Sequence, residues 1–557
     1  MKKPLFLLML CVILFFCLAS VCYSQHVIKM ISRAPYPYWD ENAHINNNGY
    51  VVWERLDETD YEIFLYDGST VSQLTDNSYD DTNSQINDNG YLVWEGYDGT
   101  DWEIFLYDGT KSIQLTDNSY NDYSPQINNN GHVVWHGYDG TDYEIFLYDG
   151  TTTRQLTDNS YHDVVPQINN NGYVAWLTTG GINLYDGMNI TQIINDSDCG
   201  WVDLRINDKG YVVWSGDLDP CDGIFLYNGI DIKQLRRRPG MENLYPDLNN
   251  SGHVVWQVYN GHGQTIMLFD GTKKIELTNH GMHPKINDKD EIVWWNQGYG
   301  SIIFYHNSIF TELTNSLHSA WGPQEPQLND NGFVVFQGVR SNSEIDIYLA
   351  SRVSVVSPDG GEVVPSGLPS MIRWVGPSVA TKYKVKYSTD NGLTWNKAHQ
   401  EPYVTETTLD WNVRVPLGNR RKSLVEVIGF NASGTAVSRD QSDRPFTIEV
   451  LKLTSPNAGE PPITSGGQHT ITWKTNTTIA PVDHIVLSYT LNDGLTWKTI
   501  DTTADSADDG SFIWNVPDVS KQKNNCKVKI VLKDASGNTV GSDVSDGVFT
   551  IQPTPLP

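Results

Sequence analysis

The chain has 557 residues and a formal charge of −29, with 18 tryptophans and 29 tyrosines. That length exceeds one ordinary core and calls for two or three domains. The acidity argues against nucleic-acid or anionic-lipid partners, whose phosphates it would repel, and it is localised, because residues 351–557 balance 20 basic against 21 acidic side chains.

At the N-terminus, Lys2 and Lys3 precede an apolar run from Leu5 to Ala19, followed by small and polar residues up to Ser24. This is the pattern of a signal peptide over residues 1–24, so the protein is expected to be exported: periplasmic, secreted or on the cell surface. No later stretch approaches the ~20 apolar residues of a membrane helix, so no transmembrane segment is expected in the mature chain. Removal of the leader leaves Cys199, Cys221 and Cys526. Cys199 and Cys221 lie on neighbouring repeat elements in a disulfide-permitting compartment and form the candidate disulfide.

From residue 25 to 351 the chain repeats itself. An Ile/Leu-Asn turn leading into an apolar strand recurs at Ile45, Ile86, Ile127, Ile168, Ile206, Leu248, Ile286 and Leu328, at intervals of 38 to 42 residues. In the clearest copy, Asn89-Gly90 precedes Tyr91-Leu92-Val93-Trp94, then Glu103-Ile104-Phe105-Leu106-Tyr107-Asp108-Gly109, then Ile113-Gln114-Leu115-Thr116. Asn-Gly and Asp-Gly pairs between apolar runs are hairpin turns, and some forty residues with four short strands make one propeller blade. The predicted fold class is therefore all-β: an eight-bladed β-propeller of four-stranded blades, followed by two β-sandwich domains. The large residue ending each second strand, from Trp53 and Trp94 to Phe336, is expected to pack between blades. The eighth unit runs into the next domain without its last strand. Val27 to Ile31 stand ready to supply it and close the ring.

This spelling of turn, aromatic-ended strand, Ile-Phe-Leu-Tyr-Asp-Gly and Gln-Leu-Thr-Asp-Asn resembles the TolB-like propeller family over residues 26–350. The resemblance implies the scaffold; it does not carry over a role, because the N-terminal domain of TolB has no counterpart here and eight units replace six.

In such blades the hairpin joining strands two and three and the linker between blades emerge on one face. Aromatics beside carboxylates gather there, and the candidate ligand-binding residues are Trp39, Tyr79, Asp81, Trp102, Tyr120, Asp122, Tyr143, Tyr161 and Asp163. Flat π surfaces and anionic oxygens suit a sugar, a divalent cation or a basic peptide.

Residues 352–449 and 450–553 repeat one another, and 554–557 form a tail. Ile372-Arg373-Trp374 matches Ile471-Thr472-Trp473, and Trp411-Asn412-Val413 matches Trp514-Asn515-Val516. These modules resemble the immunoglobulin- or fibronectin type III-like repeats of bacterial surface proteins. Each also holds an S/T-x-D/N-x-G-x-T-W segment that resembles an Asp-box; turn formation is expected of it, with Trp395 and Trp497 in packing.

No G-x-S-x-G elbow, H-E-x-x-H helix or paired C-x-x-C is present, so no catalytic residue and no metal ligand is assigned; His280 and His283 form an isolated H-x-x-H. No cofactor is expected, with calcium left open. The leading expectation is a non-catalytic binding protein for an envelope or extracellular protein or a glycan, with the sandwiches as spacers. A polysaccharide hydrolase or lyase using propeller carboxylates, and a structural envelope protein, are the alternatives.

Overall fold

The computed structural model describes residues 26–554 except 34–37, 57–58, 180, 196–200, 217–222, 237–241, 260, 262, 279, 299, 315–325, 340–343, 378 and 502–507. The signal-peptide segment, Cys199 and Cys221 lie outside the described residues. All helix-length regular structure among them is β. They divide into two compact units, His26–Arg352 and Val353–Pro557.

The first unit consists of antiparallel sheets of four strands paired in chain order, the arrangement of a β-propeller. In the second repeat these strands are Asp81–Ile86, Leu92–Tyr97, Trp102–Tyr107 and Ser112–Gln114. The first and last repeats meet in one larger sheet, joined by a parallel bridge between Trp39 and Ile345. There Val27–Met30 pairs antiparallel with Ile345–Ser351, Val27 opposite Ser351 and Met30 opposite Tyr348. The N-terminal segment thus occupies the outer position that the last repeat leaves vacant.

The turn asparagines tie neighbouring repeats together. Asn87 Oδ1 accepts from the backbone N–H groups of Asn89 and Tyr91, which shapes its own hairpin, while Asn87 Nδ2 donates to the carbonyl of Asn128, one repeat on. The same donation runs Asn46 to Asn87, Asn128 to Asn169, and then through Asn207, Asn249, Asn287 and Asn329, whose Nδ2 returns to the carbonyl of Asn46. Every bond in this closed cycle measures 2.8 to 3.0 Å, and the asparagines are buried. A second cycle runs one residue further on, from the Asn47 N–H to Asp88 Oδ1 and round to the Asp330 N–H on Asn47 Oδ1.

Between adjacent sheets lies the expected aromatic row. Trp53, Trp94, Trp135, Trp176, Trp214, Trp256, Trp294 and Phe336 are fully buried. Trp94 packs with Val52, Ile63 and Leu92, so one indole fills the gap between two repeats. In the first four repeats the indole N–H also finds a buried acceptor, at 2.8 to 3.1 Å: Asp40, Asp81, Asp122 and Asp163.

In the second unit, a three-stranded sheet (Ser354–Ser357, Pro369–Val375, Thr408–Asn412) accompanies a six-stranded one built around Arg420–Phe430 and Lys382–Ser388. The same two-sheet order recurs from Leu451 to Gln552. Each copy has its own core, around Trp374, Trp411 and Phe446 in one and Trp473, Trp514 and Phe549 in the other. The Asp-box-like segment does form a turn: Ser388 Oγ accepts from the Gly392 N–H and Asp390 Oδ1 from the Thr394 N–H. Its tryptophans are not core residues, however. Trp395 is half-buried and Trp497 exposed; each directly precedes the outer strand that follows the turn, and its ring lies over the turn glycine, Gly392 or Gly494. Cys526 is buried and free.

Candidate binding face

In the first three repeats the backbone itself joins hairpin to linker. The Tyr61 N–H donates to Asp80 Oδ1, the Trp102 N–H to Asn121 Oδ1 and the Tyr143 N–H to His162 Nδ1, at 3.0 to 3.2 Å. The linker is braced from beneath. Glu103 Oε1 accepts the Asn118 N–H, Asn118 Nδ2 donates to Asp122 Oδ2, and Asn118 Oδ1 accepts the Tyr120 N–H. The linker tyrosine then lies over the hairpin of the next repeat. A Cβ at Gly99 would stand 2.8 Å from the Tyr79 hydroxyl oxygen, and one at Gly140 would stand 3.1 Å from that of Tyr120; both residues also hold positive φ, which favours glycine there.

Of the candidate residues, Trp39, Tyr79, Tyr120 and Tyr161 are exposed, and Trp102 and Tyr143 are half-buried. Several belong to one continuous chain of ring contacts. It runs Tyr79, Tyr97, Trp102, Tyr123, Tyr143, Tyr138, Tyr120, with neighbouring centroids 5.4 to 6.4 Å apart. Tyr120, Tyr138 and Tyr143 line a groove of about 600 Å³ whose polar wall is Thr100, Asp101, Asn118, Ser119 and Asn121.

Asp81, Asp122 and Asp163 lie elsewhere. They are buried, accepting the indole N–H of Trp94, Trp135 and Trp176 and an amide N–H of Asn77, Asn118 and Asn159. Burial pushes the Asp81 carboxyl up to about 6 and that of Asp122 up to about 7. They support the face from below.

Sequence reasoning missed Tyr97 and Tyr138, and the residue after each row tryptophan. Glu54 Oε1 accepts the Asn83 N–H of the next repeat at 2.7 Å, and its Oε2 accepts from Asn42 Nδ2 at 2.8 Å. Glu95 Oε1 accepts both the Ser124 N–H of the next repeat and Asn83 Nδ2. Asn83 and Ser124 carry positive φ (57° and 55°), a bulge that aims their N–H groups at these carboxylates. Burial raises Glu54 to about 7, yet both its oxygens are occupied, one by the next repeat and one by Asn42 of its own. His136 occupies the equivalent position in the third repeat, and burial lowers it to about 4. His283 is buried in the strand Gly281–Ile286, and neither it nor His280 joins a metal-competent cluster among the described residues.

No family model matches the chain, and no curated protein matches it. Among solved structures it is similar to virginiamycin B lyase from Staphylococcus aureus, at 13% identity and a TM-score of 0.34 over 48% of this chain and 93% of that one. A puromycin-hydrolyzing peptidase of Mycobacterium tuberculosis gives 10% identity and a TM-score of 0.38 over 58% of this chain; the match spans 61% of that enzyme's length. The β-propeller domain of the Trilobed protease from Pyrococcus furiosus gives 11% identity and 0.36 over 51% of this chain and 99% of that one.

Proposed function

We propose that this is an exported, non-catalytic glycan-binding protein. Its first unit is an eight-bladed, TolB-like β-propeller, and its second consists of two immunoglobulin- or fibronectin type III-like sandwiches that act as spacers. The aromatic chain beside the groove carries this reading: Tyr120, Tyr138 and Tyr143 offer flat faces to the C–H side of a sugar ring, while Asp101, Asn118 and Asn121 meet its hydroxyls. The two closed asparagine cycles support the eight-blade count. The engagement of both Glu54 oxygens, by the Asn83 N–H and by Asn42 Nδ2, weighs against a hydrolase or lyase that would use this carboxylate, since a general acid needs a free oxygen at the substrate.

A glycan array probed with the full-length protein, with envelope proteins spotted alongside, tests this. The Tyr120→Ala/Tyr143→Ala variant is expected to bind its best glycan at least tenfold more weakly, in line with the ~1.4 kcal/mol that each tenfold loss represents. Unchanged binding, or capture of proteins alone, would reject the glycan reading. Turnover of a captured glycan would restore the enzyme.

A further inference from the structure

The hairpin joining strands two and three has the same acidic spelling in two successive repeats: Asp98-Gly99-Thr100-Asp101-Trp102-Glu103 and Asp139-Gly140-Thr141-Asp142-Tyr143-Glu144. The turn folds these acids together, for the Thr100 hydroxyl lies 2.6 Å from Asp98 Oδ1 and 2.7 Å from Asp101 Oδ1. In the second repeat, carboxylate oxygens of Asp98, Glu103 and Asp117 all lie within 4.8 Å of one another; in the third, those of Asp139, Asp142 and Glu144 do. Two oxygens on opposite sides of a calcium ion, each at its usual ~2.4 Å, are separated by about this distance.

Orphaned oxygens supply the independent observation. Glu103 is fully buried and Asp142 is 6% exposed, yet Glu103 Oε2 and Asp142 Oδ2 have no hydrogen-bond partner. Their other oxygens are occupied, by the Asn118 N–H and the Thr141 hydroxyl. Among the described residues no lysine or arginine pairs with either cluster. A buried anionic oxygen facing other carboxylates is strongly disfavoured unless a proton or a cation neutralises it; burial raises Glu103 and Glu144, and a bound cation relieves the same cost with the carboxylates ionised. Nor does the fold require these acids: the position opposite the second strand that Glu103 and Glu144 occupy is filled by Gly181, Gly223, Thr265 and Ser301 in the next four repeats.

We propose that each of these two hairpins binds a calcium ion, one held by Asp98, Glu103 and Asp117 and the other by Asp139, Asp142 and Glu144. Water completes the six to eight oxygen ligands that calcium takes, and the all-oxygen, partly solvated donor set disfavours zinc. The inference is independent of what fills the groove. In the first repeat Asp60 and Glu62 also bear orphaned oxygens, but part of that hairpin lies outside the described residues.

The test is calorimetric titration of the EDTA-treated full-length protein with calcium chloride. At least two ions per chain are expected, with dissociation constants in the ~10⁻⁴–10⁻³ M range of extracellular sites or tighter. Glu103→Gln is expected to remove one ion and Glu103→Gln/Asp142→Asn both, whereas Asp67→Asn, in an exposed turn with a single acid, removes none. Trp102, between Asp101 and Glu103, provides a second readout. It is expected to sensitise terbium emission in the parent, and Trp102→Phe to lower that emission while calcium stoichiometry stays unchanged, so a variant that fails to fold does not leave the question open. Absence of saturable calcium uptake, or parental stoichiometry in a natively folded double variant, would overturn the proposal.

Discussion

Replacing Asn128 by alanine breaks one link of the inner asparagine cycle. Three hydrogen bonds disappear: Nδ2 to the Asn169 carbonyl, and Oδ1 from the N–H groups of Asn130 and His132, each 3.0 Å long. At ~1 kcal/mol net for each, the loss is about 3 kcal/mol, for the Asn169 carbonyl keeps the Gly172 N–H. Unfolding entropy of ~2.1 cal/mol/K per residue gives the His26–Arg352 unit roughly 0.7 kcal/mol/K, so its Tm is expected to fall by about 4 °C. Asn130→Ala is the matched control. Its amide also donates to the next repeat, at 2.8 Å on Asn170 O, but in solvent, and a loss under ~0.5 kcal/mol is expected. Differential scanning calorimetry of the three proteins decides the matter. If Asn128→Ala and Asn130→Ala both melt within 1 °C of the parent, the cycle does not hold the repeats together and the reasoning fails.

Stability of the first unit is expected to fall as pH rises from about 4.5 to 7 in EDTA. Burial holds Glu54, Glu62 and Asp122 up to about 7 and Asp81 to about 6, so the folded form retains protons that the unfolded chain has released. Buried His26 and His136, lowered to about 4, act in the opposite sense below pH 6.5 but are fewer; a net gain of order 1–3 kcal/mol at pH 5 over pH 7.5, read by urea denaturation, is expected, and a loss would refute it. Gly181→Ala would place a Cβ 1.8 Å from the Ile194 carbonyl oxygen, and a cost above ~3 kcal/mol is expected; Gly150→Ala, also at positive φ but with open space around it, is expected to cost only ~1–2 kcal/mol in the same melts. In the second unit Trp411→Ala is expected to cost ~3–5 kcal/mol and Trp497→Ala less than ~0.5 kcal/mol, which separates the core tryptophan from the one on the turn.

The repeated sheets were legible because three local signals agree: a period near forty residues, Asn-Gly turns that demand positive φ, and an aromatic at one strand position. Gly49, Gly90, Gly131 and Gly172 all show φ near 80°. The asparagine cycles were not legible, because turn chemistry already accounts for Asn46 or Asn87 and nothing local reveals a second partner one repeat away. Asp81, Asp122 and Asp163 sit beside linker tyrosines and read as solvated; the overlooked signal was the tryptophan thirteen residues on, whose indole N–H needs a buried acceptor.

Pairing of Val27–Met30 with Ile345–Ser351 means that the earliest-made piece of the first unit waits for the latest. Until that late strand is available, a chain emerging from a ribosome or a translocation channel keeps both terminal sheets unsealed, prone to joining a neighbouring molecule. A fusion partner placed ahead of Val27 would emerge beside the final repeat and burden this last-formed seam.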